Sequence, residues 1–301
     1  MQSLLKVFIS TFGFFSHGSR REWKCIHLLP MHVKKHFDWY LPFTHASRLL
    51  EEAANFVYIA KIAMINTLNE SHLHKTLKTL YSLEHEACQT EAKAGKYIAD
   101  ILTKEGNVIE IQTGSLAHLA AKIMYFLEQK RTVTVVYPLV TQKYIQTEDE
   151  QGKTLRKRKS PVKKNIYSVF RELTALCPFL LKRNFYLHVV EVSVTEKRTA
   201  TKEKVQSANG RRHFLRDWVK TGKNLDSIEK KHVFHGKKSY SELIPKSLKG
   251  EFTVTDLYNA VKLTESGVKR NEISLMVWVL CKLELIEFTE KKGRTNYYKK
   301  K

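Results

Sequence analysis

The stretch KYIADILTKEGNVIEIQTGS, residues 96–115, decides which fold the sequence predicts. Its apolar residues fall in two short runs, over 96–103 and 107–113, which is typical of β-strands. Lys104–Gly106 separates the two runs and predicts a tight turn between them. The stretch is therefore expected to form a buried hairpin, although it contains two carboxylates and an amide.

The two carboxylates, Asp100 and Glu110, are expected to face each other across this hairpin. A turn at 104–106 places Thr103 opposite Asn107, and counting along antiparallel strands then pairs Asp100 with Glu110. Like charges opposed on a sheet destabilise it, and burial adds the cost of lost solvation. Either a divalent cation such as Mg²⁺ or Mn²⁺ offsets these costs, or one carboxylate lies at a frayed, solvated strand end.

The segments around the hairpin predict a mixed α/β (α+β) fold. A helix is expected over 70–84, a first strand over 86–94 in one interpretation, and a helix over 115–129. The apolar run TVTVVYPLV then predicts a buried strand, so that the order becomes α-β-β-β-α-β. A basic loop, a helix in IYSVFRELTALCPFLL and a strand in FYLHVVEVSVTEKR are expected to follow.

The C-terminal residues predict a second small unit. Helical patterns occur over 255–263 and again around Ile273, Val277 and Leu280, with TESG as a turn between them. Two short strands are expected on either side of Lys292-Gly293. The order helix, turn, helix, hairpin is the winged-helix pattern.

The αβββαβ order and its motif resemble the PD-(D/E)XK restriction-endonuclease-like nucleases. The residues that carry the resemblance are YIADIL…VIEIQTGSL…K…FL…VTVVYPL, across roughly residues 70–140. They are similar to the branch in which IE-x-Q replaces Glu-x-Lys, as in competence-type nuclease-like proteins. The fold class that this implies is a restriction-endonuclease-like core with a C-terminal winged helix.

The resemblance implies a metal-dependent nuclease that acts on DNA. Asp100 and Glu110 would ligate Mg²⁺ or Mn²⁺, and the carbonyl of Ile111 would add a third ligand. Gln112 would stand where the family has its lysine, beside the attacking water. The metal would polarise the phosphodiester and lower the pKa of the bound water.

Two departures from the family pattern leave the activity open. Gln112 can hold water by hydrogen bonds, but it has no charge to stabilise hydroxide or the transition state. Ala99 precedes Asp100 where the family has proline. Either the metal acts alone, or Lys122 on the following helix reaches back as the catalytic lysine, or the fold is an inactive DNA-binding or regulatory protein.

Acidic groups near the end of the first helix are further candidates for the site, whereas its histidines are not expected to bind a metal. Glu84 and Glu86 could complete the metal ligands, although each is more typical of a helix-end surface charge. His72 and His74 are two residues apart and point in different directions on a helix, which argues against a metal pair.

The formal charge of +22 favours a polyanionic partner. We expect double-stranded DNA, and no membrane partner. The segment LRKRKSPVKKN is expected either to bind backbone phosphates or to be a solvated loop. The residues that it would use are Arg156, Lys157, Arg158, Lys159, Lys163 and Lys164.

The winged-helix pattern supplies a second set of candidates for nucleic-acid binding. They lie at the start of its second helix and on its hairpin: Lys269, Arg270, Asn271, Lys292 and Arg294. The alternative for this set is a surface that contacts protein.

The domain prediction divides the chain into four parts. They are an N-terminal extension over 1–65 of open status, a nuclease-like domain over 66–195, a basic linker or helical region over 196–240, and the winged helix over 241–301. The four cysteines form no CxxC pair, which fits a reducing cytoplasm. The opening MQSLLKVFISTFGFFSHGSRR is only faintly like a signal peptide, and no apolar run approaches a membrane span.

Overall fold

The hairpin predicted over 96–113 is present in the computed structural model of the chain, which describes residues 72–207 and 210–301. The extension predicted over 1–65 lies outside the described residues. Around the hairpin, the elements follow the predicted order of helix, three strands, helix and strand. They are α1 (His72–Leu83), β1 (Gln89–Ala94), β2 (Tyr97–Leu102), β3 (Val108–Ile111), α2 (Ala120–Glu128) and β4 (Val133–Glu148).

The chain after β4 differs from the prediction in three places. The helix predicted in IYSVFRELTALCPFLL is a short α-helix, Phe170–Leu173, between two 3₁₀ turns. The segment predicted as a basic loop contains a strand, β5 (Thr154–Lys159). The region 196–240, predicted as a linker or helical region, instead continues two long strands, β6 (Phe185–Val205) and β7 (Arg216–Phe234). Outside the core, these strands carry charged and polar residues on both faces, so they lack the apolar alternation that identifies a half-buried strand. The backbone groups that the two strands turn towards each other are nevertheless paired along the β6–β7 ladder.

The strands of the main sheet pair in the order β1-β2-β3-β4-β6-β7, with β5 on the outer half of β4. The pairs β1–β2, β2–β3 and β6–β7 are antiparallel. The pairs β3–β4 and β4–β6 are parallel. The sheet is therefore mixed, with β3 and β4 near its centre, and the fold is mixed α/β.

Helices cover the two faces of this sheet. Leu73, Leu77 and Leu80 recur at helical spacing along α1, and they are buried in one cluster with strand residues such as Ile109 and Val192. A second cluster contains α2, the strand residues that face it and a short helix after β5. That short helix, α3 (Phe170–Leu173), lies between two 3₁₀ turns at Ile166–Val169 and Thr174–Leu176.

The C-terminal part has the predicted order of helix, helix and hairpin. Its elements are α4 (Gly236–Ser241), β8 (Glu251–Thr253), α5 (Val254–Thr264), α6 (Arg270–Lys282), β9 (Ile286–Lys292) and β10 (Thr295–Lys300). The last strands form a separate sheet in the order β8-β10-β9.

This C-terminal part packs on the body of the protein. Phe170 of α3 and Ile273 of α6 are buried in the same cluster. Ser168 donates a hydrogen bond to Glu272 at 2.7 Å, and Glu272 also accepts from the amide of Lys269 at the start of α6. The helices after residue 241 therefore share a core with the sheet. Among the described residues, no helix is both long and apolar enough to cross a membrane.

Candidate functional site

Asp100 and Glu110 lie opposite each other where β2 and β3 meet, as the turn geometry predicted. Ile101 pairs with Ile109, and one step further along the antiparallel register are Asp100 and Glu110. Side chains replace the backbone ladder at this step. The amide of Ile111 donates to Oδ2 of Asp100 at 2.8 Å, and the amide of Asp100 lies 3.4 Å from Oε1 of Glu110.

Lys122 of α2 reaches back to this pair, as one of the alternatives from the sequence expected. Its Nζ lies 2.6 Å from Oε2 of Glu110. The Glu110 residue is only 2% exposed, and the Lys122 side chain is 16% exposed. The ion pair is therefore largely removed from water. In the protein interior electrostatic interactions are strong, and an unpaired charge is costly.

The two carboxyl groups titrate differently. Burial raises the pKa of Glu110 to about 7, with a further contribution from the charge of Asp100, and this exceeds the opposing effect of Lys122. Burial also disfavours the charged form of Asp100. The hydrogen bonds from His74 and from the Ile111 amide outweigh this, and they hold the pKa of Asp100 below its ordinary value. The ionised form of Glu110 is thus less favourable than that of Asp100, so a proton or a nearby cation stabilises Glu110 more.

His74 is the residue of the site that sequence reasoning missed. Its Nε2 lies 3.3 Å from Oδ2 of Asp100. The sequence indicated acids of the first helix instead, but Glu84 lies 3.6 Å from the ammonium of Lys231, and Glu86 is exposed. A single histidine near a helix start carries no pattern that distinguishes it, so only the packing of α1 against the strands identifies His74.

Gln112 is engaged with the loop that follows β3. Its Nε2 donates to the carbonyl oxygen of Ser115 at 2.8 Å. The backbone amide of Gln112 donates to the carbonyl oxygen of Val136 at 2.9 Å, which fixes the residue beside β4. The side chain therefore ties down the loop before α2, and only its Oε1 remains to accept a hydrogen bond from water.

The donors at this site suit a hard divalent cation. Within residues 72–207 and 210–301 there is no cluster of three or more His, Cys, Asp or Glu side chains that could hold a metal ion. Two carboxylates are nevertheless enough to hold Mg²⁺, which usually keeps several of its water ligands in proteins. Asp100 and Glu110 provide that pair, and Ile111 ends β3 directly beside them.

The predicted phosphate-binding run lies on an exposed strand. Arg156, Lys157, Arg158 and Lys159 all lie in β5, so alternate side chains point to opposite faces of the sheet. The ammonium groups of Lys157 and Lys159 lie 5.5 and 6.0 Å from the ring centre of Tyr144. Lys163 and Lys164 are exposed in the segment after the strand.

The C-terminal candidates are divided between a groove and the exposed surface. Arg270 and Arg294 line a groove of about 220 Å³ between α5, α6 and the final hairpin. Arg270 also donates to Oγ1 of Thr255 at 3.1 Å. The remaining three are outside this groove: Lys269 caps α6, Asn271 is exposed, and Lys292 pairs with Glu290.

Comparison with known proteins identifies the family. Residues 71–235 match the family model described as a domain of unknown function, DUF8091. The chain belongs to this family. The DUF8091 part extends from α1 to the end of β7, so it contains Asp100, Glu110 and Lys122, whereas α5, α6 and the final hairpin lie outside it.

A relative extends beyond the DUF8091 part. An uncharacterized protein of Treponema pallidum (strain Nichols) is 27% identical over 236 residues, which are 78% of this chain and 87% of that protein. No solved structure matches the chain.

Proposed function

We propose that this protein is a metal-dependent nuclease that hydrolyses phosphodiester bonds in DNA. The observation that carries the proposal is the arrangement of Asp100 and Glu110. They face each other across β2 and β3, close to the C-terminal end of β3, and Lys122 lies 2.6 Å from the buried Glu110. Two acids that can hold a cation and a lysine thus converge at one place, an arrangement suited to phosphodiester hydrolysis assisted by a metal ion.

The order of elements supports the same proposal. The αβββαβ order, with an antiparallel β1-β2-β3 meander and β4 parallel to β3, is compatible with a PD-(D/E)XK core. The helix, helix and hairpin after residue 241 are compatible with a winged helix. Fold resemblance alone does not establish activity, so the site residues carry the argument.

Each residue of the site has a role in the proposed mechanism. Asp100 and Glu110 would hold Mg²⁺ or Mn²⁺, and the carbonyl of Ile111 would be a third ligand. The bound cation would polarise the phosphodiester and lower the pKa of a water molecule. His74 and the Ile111 amide hold Asp100 in its ionised form.

Lys122 supplies the positive charge that Gln112 lacks. Its ammonium has three donors, one of which is used by Glu110, and the others can donate to phosphate oxygens as negative charge develops. Oε1 of Gln112 can accept a hydrogen bond from the attacking water. The role that a lysine of the third strand has in PD-(D/E)XK nucleases would thus be performed here by Lys122 of α2.

The second candidate is an inactive DNA-binding or regulatory protein. The observation that favours it is that the side chains of Gln112 and Lys122 already have protein partners. Nε2 of Gln112 donates to the carbonyl oxygen of Ser115, and Lys122 neutralises Glu110. In this alternative the Lys122–Glu110 pair replaces the cation, and the basic surface binds DNA without cleaving it.

Nicking of supercoiled plasmid by purified protein distinguishes the two candidates. The nuclease requires Mg²⁺ or Mn²⁺, and EDTA abolishes its nicking. The inactive protein shifts plasmid mobility without nicking it in either condition. Lys122→Met is the variant to run alongside, because a contaminating nuclease would cut equally well in both preparations.

A further inference from the structure

Four basic side chains surround one buried carboxylate where β4, β6 and β7 run side by side. Oε2 of Glu196 lies 2.6 Å from Nζ of Lys143 and 3.9 Å from Nζ of Lys220. Oε1 accepts from both Nε and Nη2 of Arg198, at 2.8 and 2.6 Å. Glu196 is 7% exposed, so these interactions are shielded from water.

Lys223 is the fourth basic residue, and it is not compensated. It stands directly opposite Glu196 in the β6–β7 ladder. In the described part of the chain, no hydrogen bond or ion pair engages its ammonium group. Burial lowers the pKa of Lys223 to about 8, and the nearby charges of Lys220, Lys143 and Lys164 lower it further, against a smaller opposing effect of Glu196.

The charges of this cluster do not balance. Hydrogen bonds from Lys143 and Arg198 outweigh the effect of burial and keep the pKa of Glu196 low, so this residue contributes one negative charge. Lys143, Arg198, Lys220 and Lys223 contribute four positive charges, which leaves a surplus of three. A half-buried surplus of this kind is destabilising by itself, and an anion with several acceptor oxygens would offset it.

The geometry favours a tetrahedral oxyanion such as phosphate over a planar carboxylate. Arg198 presents its bidentate edge to Glu196, so it is not available to receive a planar carboxylate in the same way. The remaining donors are three ammonium groups from two strands, each of which acts as a point charge with rotatable donors. A tetrahedral phosphate has several acceptor oxygens, which suits donors of this kind.

We propose that Lys143, Lys220 and Lys223 form a phosphate-binding site, with Arg198 held in position by Glu196. The phosphate belongs either to the backbone of a nucleic acid that lies along the outer strands, or to a free phosphate. The site is separate from Asp100 and Glu110, and it does not depend on whether the protein cleaves DNA.

Lys223→Met tests the site against a matched control. Methionine nearly keeps the length of the side chain and removes an ammonium that no described residue binds through a hydrogen bond or ion pair, so the fold is expected to persist. Lys230→Met on the same strand is the control, because Lys230 is exposed and lies outside the cluster. Lys220→Met is a second variant of the site itself, at a side chain that is 50% exposed.

The first measurement is thermal melting with increasing inorganic phosphate, at ionic strength held constant with chloride. The wild type and Lys230→Met should be stabilised by phosphate, with a rise in Tm. Lys223→Met should lose most of this rise, and Lys220→Met part of it. An identical phosphate response in all four proteins would overturn the proposal.

The second measurement assigns the source of the phosphate. It compares duplex affinity over a range of salt concentrations for wild type, Lys223→Met and Lys230→Met. If the site binds backbone phosphate, the slope of log K against log salt falls by about 0.9 in Lys223→Met alone. If that slope is unchanged while the response to inorganic phosphate is lost, the site takes free phosphate. A protein that binds phosphate here and never cuts DNA would contradict the proposed function and support this site.

Discussion

Nζ of Lys122 lies 2.6 Å from Oε2 of Glu110, a residue that is 2% exposed and faces Asp100 across the hairpin. The ammonium comes from α2, and its side chain is 16% exposed. The ionised form of Glu110 is consequently stabilised by Lys122, and we propose that catalysis depends on the same contact.

Lys122→Met should destabilise the protein more at pH 8 than at pH 5. Breaking a buried ion pair from one side costs about 3–5 kcal/mol when the remaining charge has no partner. The pKa of Glu110 is raised in the folded protein to about 7, so stability from this group is present below pH 4.5 and is lost as the pH rises through 7. Without Lys122 the folded pKa rises further, which makes that loss larger.

Urea unfolding of Lys122→Met at both pH values measures this effect. Lys93→Met is the control. Lys93 is exposed on β1, so this substitution removes the same charge from a solvated position. A loss of stability that is equal at pH 5 and pH 8 would show that Glu110 is not the group affected.

A lysine introduced at position 112 should restore activity to Lys122→Met. In the proposed nuclease arrangement Gln112 would stand where PD-(D/E)XK nucleases have a lysine. It is only partly buried, so a long cationic side chain can be accommodated. Single-turnover cleavage by the double variant Lys122→Met/Gln112→Lys should exceed that of Lys122→Met by about 10-fold or more. Gln112→Met in the same background controls for the loss of the bond to Ser115, and rescue by methionine as well would exclude a role for the charge.

His188 should make the protein sensitive to acid. Burial lowers the pKa of His188 to about 4, with smaller effects from the charges of Lys231 and His85. The unfolded chain binds a proton at His188 below pH 6.5, while the folded chain does not until about pH 4. Stability from this group is therefore present above pH 6.5 and falls by up to about 3 kcal/mol as the pH drops towards 4.

His188→Gln should flatten this part of the stability profile, because glutamine keeps a polar group near the hydroxyl of Tyr81, 3.2 Å from Nδ1 of the histidine. Chemical denaturation at half-unit steps from pH 7 to pH 4 gives both profiles. Parallel profiles for wild type and variant would refute the assignment.

The outer face of β5 should contribute to duplex affinity through electrostatics. Arg156 and Arg158 are two residues apart on this exposed strand, and neither has a protein partner among the described residues. Changing both to glutamine should lower the slope of log K against log salt by about 1.8 in a duplex-binding titration. Lys246→Gln/Lys249→Gln removes two charges from an exposed loop elsewhere and should leave the slope unchanged. Equal slopes for both double variants would mean that β5 does not face the DNA.

The central hairpin could be predicted from the sequence because several local signals agree. Two short apolar runs define the strands, and Gly106, at a φ of +80°, permits the turn between them. Since one turn position determines a whole antiparallel register, the opposition of Asp100 and Glu110 followed directly. The contact of Lys122 was only one of several possibilities, because the angle at which α2 crosses the sheet depends on tertiary packing.

The outer strands and the role of His74 could not be predicted in this way. Residues 196–234 form paired strands with charges on both faces, so hydrophobic periodicity provides no signal there. In the structure, the ring of Trp218 on β7 lies 3.6 Å from the guanidinium carbon of Arg198 on β6, a contact made across the two strands.

Cleavage and duplex affinity measured in parallel for Asp100→Asn and Glu110→Gln test the central claim most directly. Both substitutions keep the size of the side chain and remove the charge that would hold the cation. We predict that each lowers the Mg²⁺-dependent nicking rate by at least about 100-fold while duplex affinity changes less than about threefold, because affinity arises from phosphate contacts elsewhere. Nicking at the wild-type rate by both variants, with circular dichroism spectra unchanged, would show that Asp100 and Glu110 are not the site of cleavage.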